Sequence, residues 1–264
     1  MVSHIITPFL PDNLQGLHGE EEKIRTESSL FINSSEELKE HIELLHSCLD
    51  MLHAVYSNAP QKLSNDEQVI YGLSIRLFNS GSCLLKLLLS GYYQGAVAFI
   101  RDIVEVGFLL DYFDYRPQSM EAWRNGETEE FKPFKIRKVL DERDGFEEKG
   151  RAERYKFLSS YGTHASFGGF ALIANEKGLT LGPFMNEKLL AGTLTDGAMH
   201  FVHPVMVCLT HHREITLEQM KARIGFMQQI SNWFGKYRDP EIAKGSQKQI
   251  AELNHLFSLI EKAN

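Results

Sequence analysis

Two residues of opposite charge stand one helical turn apart inside an otherwise apolar stretch. Arg101 and Glu105 lie within Gly91 to Trp123, GYYQGAVAFIRDIVEVGFLLDYFDYRPQSMEAW. At a spacing of four they share one helix face, which Val97, Val104, Phe108 and Tyr112 share or border. A charge on a stripe that wants burial must be held by partners, because an unpaired buried charge is costly. The pair is therefore either a strut that ties this helix to its neighbours or the floor of a polar pocket. In the second case the guanidinium of Arg101 can hold an anion.

Histidines are the other candidate chemistry. His164 stands in Tyr161-Gly162-Thr163-His164-Ala165-Ser166, just after a helical segment. A loop histidine beside glycine can serve as a general base, or it can merely end the helix before it. Arg101, Glu105 and His164 are thus the residues with which a catalytic reading begins. Asp196, His200 and His203 are spaced as metal ligands on one helix, one turn apart each. His211 lies about 12 Å further along the axis than His203 and cannot join them. A catalytic zinc needs about three protein ligands, Gly197 and Pro204 disturb this helix, and HExxH is absent. No metal is expected, and these three residues are its weak candidates. Gly-x-Ser-x-Gly, a phosphate loop and GxGxxG are all missing, so no cofactor is implied.

Composition narrows the class. The formal charge of −7 over 264 residues does not favour RNA or DNA as a general partner. The most basic stretch, Lys132 to Lys156, has acids interleaved and reads as a solvated amphipathic face. Cys48, Cys83 and Cys208 are far apart in apolar contexts, which fits buried thiols in a reducing cytoplasm. The N-terminus lacks a signal-peptide pattern, and no uncharged run reaches the ~18–20 apolar residues of a membrane span. A soluble cytoplasmic protein without membrane contact is expected.

The elements that must position these residues are helices. Residues 1–33, with prolines, glycines and Glu20-Glu21-Glu22, read as an irregular N-terminal arm. Ser34 to Glu37, Ser64 to Glu67 and Thr216 to Gln219 read as three capping boxes. They open helices with apolar residues at helical spacing, Leu38, Ile42, Leu45, Leu49 and Leu52 in the first. Arg116-Pro117 should stop the Arg101 helix, and Pro117 should start a short helix carrying Trp123. Two charged helices follow around Asp144-Gly145. A loop-rich crossing with a short strand spans about 162–183. A long helix from about Asn186 to His212 should bend at Pro204. Two more helices follow, the last opened by Asp239-Pro240 and carrying Ile250, Leu253, Leu256, Phe257 and Ile260. The expected fold is all-α, a single helical bundle domain of about eight or nine helices over 34–264.

The pattern Gly91, Ala96, Arg101, Glu105, Tyr112, followed by Ser159-Ser160-Tyr161-x-x-His164, resembles a family of uncharacterised bacterial all-helical proteins. The resemblance covers about residues 65–170. That family is distantly similar to the HEPN-type helical bundles, several of which are ribonucleases or nucleotide-binding domains of toxin and phage-defence systems. The nuclease members carry an arginine followed at four to six residues by a histidine, and no arginine here has a histidine at that spacing. The resemblance implies a fold more than an activity. The expected function is a non-enzymatic interaction or ligand-sensing module, with a homodimer, a protein or a small-molecule ligand as partner. The alternatives are an RNA-directed enzyme using His164 with Arg101, and a metal-dependent hydrolase at Asp196, His200 and His203.

Overall fold

The computed structural model describes residues 11–57, 62–146, 150–212, 216–238, 247, 250–255, 257 and 258. The fold is all-α. Among the described residues nine α-helices are accompanied by short 3-10 and π turns and a two-stranded ribbon.

The first helix lies where an irregular arm was expected. α1 spans Leu17–Asn33 and buries Ile24, Ser28 and Ile32, a stripe with a spacing of four. The acidic run sits in its first turns, where the positive end of the helix dipole favours it. Tyr92 Oη donates to Glu21 at 2.7 Å and Arg25 to Ser90 at 3.2 Å, so the helix is docked. The charge of this segment masked two isoleucines on one face, Ile24 and Ile32. Residues 1–10 lie outside the described residues.

α2 spans Glu36–Tyr56 and its N-cap is Ser35, one residue later than the sequence suggested. Ser34 is still helical and ends α1, its hydroxyl donating to the Phe31 carbonyl at 2.7 Å. α3 spans Asn65–Leu89 and opens on the reciprocal Ser64–Glu67 box, as expected. α4, Tyr93–Tyr115, is the central helix, packed on α3 and α8. Tyr93, Ile100 and Phe113 on it are fully buried. Arg116 ends it, and α5, Ser119–Arg124, follows Pro117. α6, Pro133–Asp144, stops at Gly145 with φ +66°, a left-handed C-cap. α7, Gly150–Leu158, runs into a π turn, Ser159–Thr163.

The crossing near 162–183 holds a 3-10 segment, Phe167–Ile173, and the ribbon of β1, Ala174–Asn175, with β2, Gly178–Leu179. The strands are antiparallel, Ala174 opposite Leu179. The return to the bundle is pinned at Gly91. Its φ is +80°, and a Cβ there would lie 2.5 Å from the Phe184 carbonyl oxygen. Asn186 then caps α8, Glu187–His211, and its own N–H donates to Tyr93 Oη at 2.9 Å. α8 continues through Pro204, whose ring seats on Gly107 of α4. A Cβ at Gly107 would meet Pro204 Cγ at 2.4 Å. α9, Leu217–Tyr237, opens on the Thr216–Gln219 box.

Of the last expected helix, Ile250 and Phe257 are buried against Ile224 of α9, while Leu253 is exposed. Asp239, Pro240, Leu256 and Ile260 lie outside the described residues. Among the described residues no helix is long and apolar enough to cross a membrane.

Candidate functional site

Arg101 and Glu105 form their pair, with Nη2 and Oε2 at 3.1 Å. The burial differs from expectation. The two side chains keep 25% and 35% of their exposure, so the pair lines a surface cleft and is not sealed in the core. A half-exposed pair at this spacing is worth a few tenths of a kcal/mol, roughly 0.3–0.5. It cannot be the strut of the bundle. The packing of α4 on α3 and α8 is.

What encloses the pair is a tyrosine that the sequence did not single out. Tyr155 of α7 hydrogen-bonds to Arg101 Nη2 through its hydroxyl, which also lies 3.3 Å from Glu105 Oε2 and donates to it. Arg101 Nε donates to the buried Ser159 Oγ at 3.0 Å. Ser159 reaches the helix because the π turn lies against the α4 backbone. A Cβ at Gly162 would be 2.9 Å from the Ala98 nitrogen. Arg151, Tyr155, Ser159 and Gly162 recur at near-helical spacing, and this is the signal that could have found Tyr155.

A second missed residue is Arg137 of α6. Its guanidinium carbon stands 3.9 Å from the centre of the Tyr155 ring, and that of Arg101 stands 4.9 Å from the same centre. Arg137 is buried, and its Nε and Nη1 have no hydrogen-bond partner among the described residues. Burial pulls its pKa below the usual arginine range, and the charges of Tyr155, Glu105 and Asp141 oppose that only in part. Ile136 and Leu140 are buried beside it on α6, so the helical stripe ran through a residue read as part of a solvated face.

Asp102 turns to α3. It accepts from Ser80 Oγ at 2.6 Å and from Arg76 Nε at 3.3 Å. Burial alone would raise its carboxyl, and those two hydrogen bonds outweigh it and leave the group below its usual range. Asp111 is buried. Arg143 holds it bidentately at 2.6 and 3.0 Å. From there an alternating series runs through Arg143, Asp144, Arg151 and Asp141. Hydrogen bonds from Arg143 and Arg151 outweigh burial at Asp144 and hold its carboxyl down at about 2. Arg143 and Arg151 are thus held by carboxylates of the same protein.

Beside the pair opens a cavity of about 540 Å³ between α3, α4, α5 and the start of α6. Its size falls in the range of ligand pockets. Leu73, Phe108, Trp123 and Phe131 supply apolar walls, with Arg76, Glu105 and Arg124 among the polar groups. Gly72 lies in the α3 wall, and a Cβ there would meet nothing within 4 Å.

His164 is exposed. Its backbone N–H donates to the Ser159 carbonyl at 2.8 Å and closes the π turn. Among the described residues its ring makes no hydrogen bond or ion pair with Arg101 or Glu105. The place beside Arg101 is taken by Tyr155 and Ser159. Asp196, His200 and His203 all lie on α8. Among the described residues no group of three His, Cys, Asp or Glu side chains is placed to hold a metal ion. His203 instead points its Nε2 toward Asp111, 3.9 Å away.

No protein-family model, curated protein or solved structure matches this chain.

Proposed function

We propose that this protein is a non-enzymatic ligand-sensing module whose pocket is the cavity beside Arg101 and Glu105. The observation that carries the reading is that Glu105 belongs both to the Arg101–Tyr155 cluster and to the cavity wall. A bound molecule therefore touches the polar cluster directly. The apolar walls of Leu73, Phe108, Trp123 and Phe131 suit the body of a small amphipathic molecule, and Arg124 at the rim suits an anionic head, Arg76 beside it being already held by Asp102.

Gly72 supports the same reading. A glycine inside a helix costs about 0.5–1 kcal/mol relative to alanine. Here neither a close neighbour nor a positive φ asks for one. What glycine preserves at this point is open cavity.

Three free thiols suit a reducing compartment, and we place the protein in the cytoplasm on that ground. The likeness to helical proteins of bacterial defence systems remains part of this proposal and adds no residue to it.

A thermal-shift screen with nucleotides and small carboxylates tests the function, because a ligand that binds only the folded state raises its melting temperature. The expected result is a ligand that stabilises the native protein and fails to stabilise Gly72→Trp, whose indole fills the cavity. Stabilisation of both proteins alike would place the ligand elsewhere and sink the reading.

A further inference from the structure

A second cavity, of about 420 Å³, lies between α4, α7 and α8. Phe108 is in the wall of both. We propose that this second cavity binds an uncharged, flat aromatic molecule of one or two fused rings.

The walls argue for the ring. Phe108, Phe146, Tyr155 and Met199 surround the space, and aromatic rings and a thioether favour an aromatic guest through stacking and sulfur contacts. Phe146 stands at the mouth. It is 57% exposed, although the Arg151 guanidinium holds its ring at 4.9 Å. An apolar ring kept in water at the edge of an apolar cavity is covered when a guest enters.

The charges argue for neutrality. Arg151 lines the cavity, but its Nη1 is committed to Asp141 at 2.6 Å and its Nη2 to Asp144. Asp111, the nearest carboxylate to the His203 ring, is held bidentately by Arg143. At the far end of the series Asp141 has Arg137 as a further positive neighbour. Among the described residues that line the cavity, Arg151 is the one permanently charged side chain, and Asp141 and Asp144 already hold it. A charged guest would lose water and gain no counter-charge. His203, largely exposed at the rim, can give or accept one hydrogen bond to the edge of a ring.

Indole, tryptamine and indole-3-acetate carry one ring system with charges of zero, plus one and minus one. Isothermal titration of the full-length protein with each tests the proposal. Indole should bind, and both charged analogues should bind at least about tenfold more weakly, the cost of desolvating a charge without a partner. Met199→Trp, which fills this cavity, should abolish indole binding, and Gly72→Trp, which fills the other, should leave it intact. Should Met199→Trp fail to fold, His203→Trp at the exposed rim serves the same purpose. Absence of indole binding, equal binding of a charged analogue, or retention of binding in the filled variants would overturn the inference. Loss of binding in Gly72→Trp alone would assign the guest to the first cavity and overturn it equally. Failure of the first cavity to bind anything leaves this result untouched.

Discussion

The Tyr155 hydroxyl donates to Glu105 Oε2 at 3.3 Å while Arg101 donates to the same oxygen of Tyr155. One side chain of α7 thus closes a charge pair that belongs wholly to α4. It also faces the second cavity, while Glu105 faces the first. Removing the hydroxyl tests how much this closure is worth. Tyr155→Phe keeps the ring against Arg101 and Arg137 and loses the two hydrogen bonds. Because the site is half-exposed, water can replace part of what is lost. The expected destabilisation is about 0.5–1.5 kcal/mol by urea titration. A change below the error of that measurement would mean that the ring contacts alone hold α7 to α4.

Arg137 allows a sharper test, because its sign runs against intuition. A buried guanidinium with two nitrogens unpartnered among the described residues is a cost to the fold, offset by its face contact with Tyr155. Methionine at this position keeps an unbranched side chain and a favourable contact with the ring. Arg137→Met should leave the stability unchanged or raise it by up to about 1 kcal/mol. A loss of more than about 2 kcal/mol in the same urea titration would show that the charge is satisfied in solution.

How far the sequence disclosed this arrangement depends on whether a residue's partner is near in the chain. The Ser64–Glu67 and Thr216–Gln219 boxes, the stop at Arg116-Pro117 and the turn at Asp144-Gly145 are all closed within a few residues. Local chemistry decides them, and they are legible. So is the Arg101–Glu105 pair, which is set by one turn of helix. Tyr155 and Arg137 reach that pair from α7 and α6, and no local pattern announces it. Nor does one announce the partners of Asp102 and Asp111, whose arginines, Arg76 and Arg143, lie 26 and 32 residues away. In α1 a negative run outweighed Ile24 and Ile32 in the reading, although Glu21 within that run takes a hydrogen bond from Tyr92 and helps to dock the helix. His164 drew attention as a loop residue next to glycine. The glycine serves the packing of the π turn on α4, and the histidine follows from it.

The crossing of α4 and α8 rests on a single missing methyl group. Gly107 accepts the ring of Pro204 where a Cβ would stand 2.4 Å from its Cγ. Proline cannot yield by rotating a side chain, so Gly107→Ala must push two buried helices apart. Overpacking of this kind costs about 1–3 kcal/mol. Gly72→Ala, on a helix facing open space, should gain about 0.5–1 kcal/mol from reduced freedom of the unfolded chain. The two substitutions are chemically identical and should move the melting temperature in opposite directions. Movement in the same direction would contradict the packing described for one of them.

Stability should also respond to pH through His41, which is fully buried on α2. Its Nδ1 accepts from Trp233 Nε1 at 3.0 Å, so the ring proton sits on Nε2, 3.5 Å from Glu37. Protonating the ring would cost the tryptophan its acceptor. Burial lowers the pKa below the ordinary histidine value, and the charges of Glu37 and Glu40 oppose this while that of Arg238 adds to it. In the unfolded chain the ring titrates near about 6.5. Below that pH the unfolded state binds a proton that the folded state refuses. Stability therefore rises with pH through this window, and it falls on acidification from about 7 toward the lower folded value. Glu40, held below its usual range chiefly by Lys236, stays ionised above about 5.5 and does not contribute there. Urea midpoints at about pH 7.5 and 5.5 should differ more for the natural protein than for His41→Gln, which retains an acceptor for Trp233 and cannot take up the proton. The excess is bounded at about 1.4 kcal/mol for each unit by which the pKa is depressed. Parallel pH dependences would show that His41 charges freely in the fold, and the buried Trp233 contact as described would then be wrong.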